Sequence, residues 1–357
     1  ETICDIRDFL QHYAAGYSKK YYKMRINRSM VCNISKSIIT ASNLQRQSRF
    51  FSVTPRLQSA SKLFSEEQQR QRENVGRIEK IEIRYLGTPK DTTLIMNRGI
   101  STPLDCAKHI GEKYCRYSAL GLLDNNVPWD MRRPLDDSCT LQLLNFTSPE
   151  PHLVNKAFWR TCSFLLGAVL QKSFKHEAGL FLHSFPKPNI KTGSFVHDIA
   201  LAKDGWSPST QELRALSIEM IKLSQQDLPI ERLDVNSEVA QEMFSDNPYK
   251  REQIPSISSQ NNGWITVYRV GEHVDISKGP MVSSTGLVGK CTIAAIHGVP
   301  RASADKFALY RVQGVALPLG LNLNHFAYSI LEDRARKLNP AKLPNEPYEE
   351  VVSEQVA

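Results

Sequence analysis

From Phe9 to Ser65 the chain contains no aspartate or glutamate, while the same stretch holds ten lysines or arginines and many serines and isoleucines. That imbalance is the composition of a mitochondrial transit peptide rather than of a folded, solvated surface. Arg49-Phe50-Phe51-Ser52 has the form of a matrix processing site, with cleavage expected after Phe51. Residues 1–51 are therefore expected to be a transit region and 52–76 an arm or linker; the alternative for this stretch is a basic disordered arm. Long apolar runs are missing as well. No stretch approaches the roughly 20 residues of a membrane span, and Ser163 to Leu170 reads as part of a buried helix.

The usual carriers of chemistry are also missing. None of the nine histidines stands four residues from another, and the seven cysteines form no Cys-x-x-Cys pair. A zinc ribbon is not supported; the plain reading is reduced, buried thiols. There is no Gly-rich loop before a helix to cradle phosphate, no G-x-S-x-G elbow and no internal repeat. No catalytic residue, cofactor, metal or small-molecule substrate is implied.

The basic balance is confined to the N-terminus. Residues 1–65 hold 11 Lys or Arg against 3 Asp or Glu, a net of +8, and the remaining residues hold 34 of each sign. The body thus has no broad attraction for nucleic acid. RNA contacts would have to come from local patches: Arg132 with Arg133, and Arg334, Arg336 and Lys337 with Lys342. The plainer reading of both patches is a solvated face.

Two domains follow. In the first, 77–147, Ile81, Ile83 and Tyr85 alternate with Glu82 and Arg84, as in a half-buried strand. Pro89 and Asp91 mark a turn into a partner strand over Thr92 to Met96. Thr102, Pro103 and Asp105 are a cap, a first-turn proline and a first-turn acid for a helix, whose expected face is Leu104, Ala107, Ile110 and Tyr114. Ala119 to Leu123 and Thr140 to Leu144 are further strands, giving a β-grasp-like module. The second domain, 148–340, shows helical stripes at Phe158, Cys162, Leu165, Val169 and Leu170, and at Leu213, Leu216, Met220 and Leu223 after a Ser207–Thr210 start signal. A short helix is expected from Ser237 to Phe244, a polar loop from Ile257 to Gly263, and strands at Trp264 to Val270 and Lys290 to Ala295. The fold class is α+β. The acidic tail, 341–357, is expected to be disordered.

Two segments carry a family resemblance: Phe158-Trp159-Arg160-Thr161-Cys162-Ser163-Phe164 and Val274-Asp275-Ile276-Ser277-Lys278-Gly279-Pro280-Met281. They resemble the editing domain of threonyl-tRNA synthetases, which has a His-x-x-x-His pair in the first segment and Cys-x-Gly-Pro-His in the second. Here those four positions fall at Arg160, Phe164, Ser277 and Met281. An arginine has no lone pair to donate and a phenyl ring no ligand atom; a neutral serine and a thioether are poor zinc ligands. The resemblance therefore implies a degenerate editing site. Phe164 and Cys162 are expected in the core, Phe164 and Met281 are expected to fill the old pocket, and Arg160 is expected at a salt bridge, a surface contact or an RNA phosphate. His273, a lone histidine near this site, reads as a satisfied structural residue.

The resemblance extends to Asp246-Asn247-Pro248-Tyr249-Lys250, to the strand Leu309–Ala316 and to the helix Leu323–Leu338, after which the synthetase aminoacylation core would follow. Thr102-Pro103-Leu104-Asp105-Cys106-Ala107-Lys108-His109-Ile110 looks like the TGS domain that heads those synthetases. A TGS domain, a degenerate editing domain and a mitochondrial N-terminus together resemble the threonyl-tRNA-synthetase-like proteins of the mitochondrial large ribosomal subunit. That family implies a structural role in the matrix, with neighbouring ribosomal proteins and rRNA as partners. A neutral body suggests a peripheral, protein-mediated position. The alternatives are a tRNA- or nucleotide-sensing regulatory protein using the TGS module, and a free-standing deacylase of mischarged tRNA, for which the expected base or metal ligands are absent.

Overall fold

The structure is a computed structural model that describes residues 55–343 except 150, 175–177, 203–204 and 301–306. The expected transit region and nearly all of the expected acidic tail lie outside the described residues.

Helix α1 (Pro55–Glu73) occupies the segment expected to be an arm or linker. Its sequence is largely polar, and only a narrow stripe docks: Ala60 and Leu63 partly buried, Phe64 fully so. Arg269 lies over the Phe64 ring at 4.3 Å and donates to the Ser61 carbonyl, locking the helix in place. A full burial of one phenyl ring is worth about 2–3 kcal/mol, enough to dock a helix with little other apolar surface.

The first sheet is built from β1 (Lys80–Tyr85), β2 (Thr92–Asn97), β3 (Leu120–Leu123), β4 (Val127–Trp129) and β5 (Cys139–Leu144), in the order β2-β1-β5-β3-β4. β1 alternates exposed and buried along its whole length, as its sequence dictates. It pairs antiparallel with β2 and parallel with β5. Between β2 and β3 lie α2 (Pro103–Ile110) and α3 (Glu112–Tyr117). Thr102 and Asp105 form a reciprocal capping box at the start of α2, which satisfies two backbone donors the helix leaves unpaired. The expected single helical face is corrected here. Gly111, at φ 155°, ends α2, so Tyr114 belongs to α3, and the residues that α2 buries are Pro103, Cys106 and Ala107. The three-residue strand β4 was not expected.

The rest of the chain forms α4 (His152–Ser173), β6 (Phe181–Ser184), β7 (Phe195–Leu201), α5 (Thr210–Gln225), β8 (Glu231–Asn236), α6 (Ser237–Met243), α7 (Pro248–Gln260), β9 (Trp264–Val270), β10 (His273–Ile276), β11 (Val288–Val299), β12 (Ala308–Pro318) and α8 (His325–Ala335). Two antiparallel sheets result, β11-β12-β7-β6 and β10-β9-β8. The main core lies between the four-stranded sheet and α4 and α5, around Phe158, Phe164, Leu166, Ile199, Met220 and Val312. Ser209 and Glu212 cap α5 as a second capping box. These features make the fold α+β.

The expected polar loop from Ile257 to Gly263 is also corrected: α7 runs on to Gln260 and the turn is confined to the residues after it. Asn247 caps this helix through its side chain and Pro248 opens it. Pro255 removes one internal hydrogen bond, and the carbonyl that loses its partner, that of Arg251, accepts from Gln241 Nε2 at 3.3 Å. Ser256, Ser258 and Ser259 look like loop residues in sequence, but the helix leaves Ser256 and Ser259 exposed and Ser258 partly so, while Ile254 is buried.

Buried polar groups on β12 hold the segment after α8. Arg311 makes a two-point ion pair with Asp198 on β7 and donates to the Asn339 carbonyl. The Gln313 amide donates to the Ala335 and Lys337 carbonyls, closing the end of α8.

Candidate functional site

The four positions singled out in the sequence come together where α4 meets the loop after β10. Phe164 is fully buried, its ring 5.0 Å from that of His273 and edge-on to Tyr268 at 6.4 Å. Met281 is 1 % exposed and belongs to the main core with Phe164 and Cys162. Its backbone N–H donates to Asp130 Oδ1 at 2.8 Å. The Ser277 hydroxyl is buried and accepts from the Gly279 N–H at 3.4 Å. Arg160 is half-buried and its Nη1 donates to the Pro280 carbonyl at 2.9 Å. Cys162 is buried, and burial raises its thiol well above the ordinary range.

Gly279 fixes how this loop passes. It has φ +68°, and a Cβ there would stand 1.9 Å from the Tyr268 hydroxyl. Only glycine permits both that backbone conformation and that approach. The Tyr268 hydroxyl donates to both carboxylate oxygens of Asp130 at 3.0 Å, and Arg232 Nε lies 3.8 Å from it. Burial pushes the Asp130 carboxyl up, against the downward pull of the Met281 N–H, Arg232 and Tyr268. Asp130 follows β4, so the first sheet and the loop after β10 are tied through one carboxylate.

One residue pair was missed in the sequence reading although both members lie in the segments quoted there. Lys250 at the start of α7 and Asp275 on β10 form an ion pair at 2.5 Å, with side chains 3 % and 1 % exposed. Two histidines adjoin it. His197 donates from Nδ1 to the Ser163 carbonyl at 2.9 Å, and its Nε2 faces Asp275 Oδ2 at 4.0 Å. His273 donates from Nδ1 to Gln171 Oε1 at 2.8 Å. Burial, reinforced by Lys250, lowers both imidazoles, His197 to about 3 and His273 to about 4, although Asp275 pulls them upward. The Asp275 carboxyl is held below its usual range: burial pushes it up, but the Lys250 ammonium and the two histidines outweigh burial. His197 Nε2, His273 Nε2 and Asp275 Oδ2 are the buried side-chain atoms without a hydrogen-bond partner among the described residues. His273 is thus half satisfied rather than fully so. α4 approaches β7 so closely that a Cβ at Gly167 would lie 2.6 Å from the His197 ring. The missing signal was tertiary: Lys250 and Asp275 are 25 positions apart, and only the fold closes water out around them.

Chemically the cluster offers one acid, one ammonium and two neutral imidazoles, all enclosed. Among the described residues no group of three or more His, Cys, Asp or Glu is placed to hold a metal ion. No helix among them is long and apolar enough to cross a membrane.

The arginines singled out for RNA are distributed over two places. Arg132 donates from Nε to the Ser283 carbonyl at 3.1 Å, and Arg133 stacks over Trp129 at 3.5 Å. Arg334 donates to the Lys191 carbonyl and Arg336 pairs with Asp333 on α8, while Lys337 is exposed.

The fold is α+β, and the chain is similar to threonine–tRNA ligases over part of their length. The threonine–tRNA ligase of Thermotoga maritima is 33% identical over 250 residues, 68% of this chain but 36% of the ligase. The human cytoplasmic threonine–tRNA ligase 1 is 31% identical over 196 residues, 54% of this chain and 25% of the ligase. The chain therefore spans about a third or less of these ligases. Large ribosomal subunit protein mL39 of Drosophila melanogaster is 60% identical over 304 residues, 85% of this chain and 91% of that protein. The chain belongs to the mL39 family of large ribosomal subunit proteins. No family model matches the chain.

Proposed function

We propose that this chain is a structural, non-enzymatic component of the mitochondrial large ribosomal subunit, resident in the matrix. The observation that carries this is the 60% identity to a large-subunit protein along 91% of that protein's length. The first sheet, with β1 parallel to β5 and α2 and α3 inserted before β3, is a TGS-type β-grasp domain over 77–147. Residues 148–340 are a domain of the synthetase editing type, a reading supported by the likeness to the ligases. Arg160, Phe164, Ser277 and Met281 stand where editing would need imidazoles and a thiolate, so the ancestral chemistry is lost. Burial of Phe164 and Met281 in the core supports this. The partners are neighbouring ribosomal proteins and large-subunit rRNA.

Sucrose-gradient sedimentation of a mitochondrial lysate tests the proposal. Co-migration with the large subunit at low and at high salt is expected. A protein left near the top of the gradient contradicts it and turns attention to tRNA binding and deacylation.

A further inference from the structure

The seam between the first sheet and the loop after β10 is bordered by cations that make no direct ion pair among the described residues. Arg132 and Arg133 follow β4, and Lys156 and Arg160 stand one turn apart on α4. All four are half-buried. Arg160 and Arg132 hold the two ends of one short segment, at the carbonyls of Pro280 and Ser283. Asp130 takes the Met281 N–H between them, so these groups share one small region. Among the described residues none of the four has a carboxylate within 4 Å; Arg232, their neighbour, is engaged by Asp234 at 2.8 Å and by Asp130. Asp130 is itself enclosed and occupied by Tyr268. The Arg133 guanidinium lies over the Trp129 ring, its carbon 3.5 Å from the ring centroid.

We propose that this arginine-bordered seam binds the phosphodiester backbone of RNA, with Arg133 and Arg160 as the principal contacts. This deepens the ribosomal reading and rests on it. Partly desolvated guanidiniums without a direct ion pair are costly to keep, and a planar fork pairs two-point with phosphate oxygens. Burial depresses both cations and Arg232 depresses Arg133 further; Asp130 pulls both back up, and Asp234 and Asp136 pull Arg133 up, but burial and Arg232 outweigh them, so an arriving anion relieves an existing penalty. The body outside 1–65 has no net charge, so an RNA contact must be local, and this seam concentrates half-buried cations. An acidic protein segment is the competing occupant. Phosphate is favoured because the donors are arginine forks, which pair two-point with phosphate oxygens, and because several stand in one region, as the repeating charge of a nucleic-acid strand requires.

The test uses the full purified chain and a fluorescein-labelled RNA hairpin of mixed sequence, with anisotropy measured across a salt series. Arg133→Gln with Arg160→Gln is expected to lower the affinity tenfold or more, on the order of two phosphate contacts, and to reduce the slope of log K against log salt by about 2. Arg336→Gln with Lys337→Gln, which removes the same charge elsewhere, is expected to leave the slope within about half of one contact's worth. Arg133→Lys with Arg160→Lys keeps the charge and separates a binding defect from a folding defect. It is expected to hold the slope while losing affinity, because the two-point geometry goes. Equal losses in the seam and α8 variants overturn the proposal, as does displacement of the RNA by polyglutamate at equal charge. Sedimentation of the wild-type chain runs alongside. Co-migration with the large subunit but no seam-dependent binding refutes the seam alone, whereas failure to co-migrate refutes the ribosomal reading.

Discussion

Replacing Lys250 by methionine removes one half of a buried ion pair and leaves the other half in place. The ammonium sits 2.5 Å from Asp275 Oδ1 and both side chains are at most 3 % exposed. What remains for the carboxylate is the Ile276 N–H at 2.7 Å on Oδ1, and His197 Nε2 at 4.0 Å from Oδ2. His197 is neutral and its other nitrogen is already committed to Ser163. An uncompensated buried charge of this kind costs about 3–5 kcal/mol, a large part of a domain's stability of about 5–15 kcal/mol. Lys250→Met with Asp275→Leu removes both charges and is expected to recover most of that loss, since replacing a buried pair by apolar residues is often close to neutral. The assay is urea unfolding followed by tryptophan fluorescence for wild type, both single variants and the double. The pH dependence adds a check. Burial still lowers the His197 and His273 imidazoles in this variant, but the ammonium no longer adds to it, so the upward pull of Asp275 on both counts for more. The cost of Lys250→Met is therefore expected to shrink as pH falls below about 6.5 and a histidine takes up the missing positive charge. A single-variant cost below about 1 kcal/mol, or a double variant no better than the worse single, refutes the reasoning, because water or a rearranged partner must then be reaching Asp275.

The wild-type chain carries the same histidines as buried neutral groups. Their folded pKa values, about 3 and about 4, lie below the ordinary value of 6.5, so the unfolded chain binds more protons between those limits. Stability is expected to fall as pH drops from 6.5 to 4, approaching about 2.7 kcal/mol per pH unit for two protons; a flat profile by calorimetry contradicts this. Asp275 adds loss at still lower pH, while Asp130, whose carboxyl is raised, contributes in the opposite sense. Phe64→Ala is expected to cost about 3–5 kcal/mol and to free α1, read as faster amide exchange across Pro55–Glu73; unchanged protection would mean that α1 is not held by that ring. Gly279→Ala forces a side chain into the Tyr268 hydroxyl and is expected to cost about 3 kcal/mol, measured as a lower urea midpoint.

Much of the first sheet was legible because its signals are local. The alternation of Ile81, Ile83 and Tyr85 needs nothing beyond the strand itself, and the Thr102 and Ser209 capping boxes are closed by residues three positions on. Where the reading failed, the deciding contact came from elsewhere in the chain. α1 is polar except for a stripe whose partners are on α6, β8, β9 and β10. α7 contains an internal proline and three serines, and it is kept helical by its Asn247 cap and a Gln241 side chain from α6. At the site, Arg160, Phe164, Ser277 and Met281 were picked out by the resemblance of two short segments to the synthetase editing domain. Lys250, Asp275, His197 and Asp130 could not, because their importance lies in burial, and burial is a property of the assembled layers rather than of any one segment.

The central claim is that this chain is a stoichiometric structural part of the mitochondrial large ribosomal subunit. Quantitative mass spectrometry of salt-washed mitochondrial large subunits measures that directly. The account predicts this chain at equal molar amount with the other large-subunit proteins after the wash. A trace amount that the wash removes would contradict it and would point to a loosely bound factor instead.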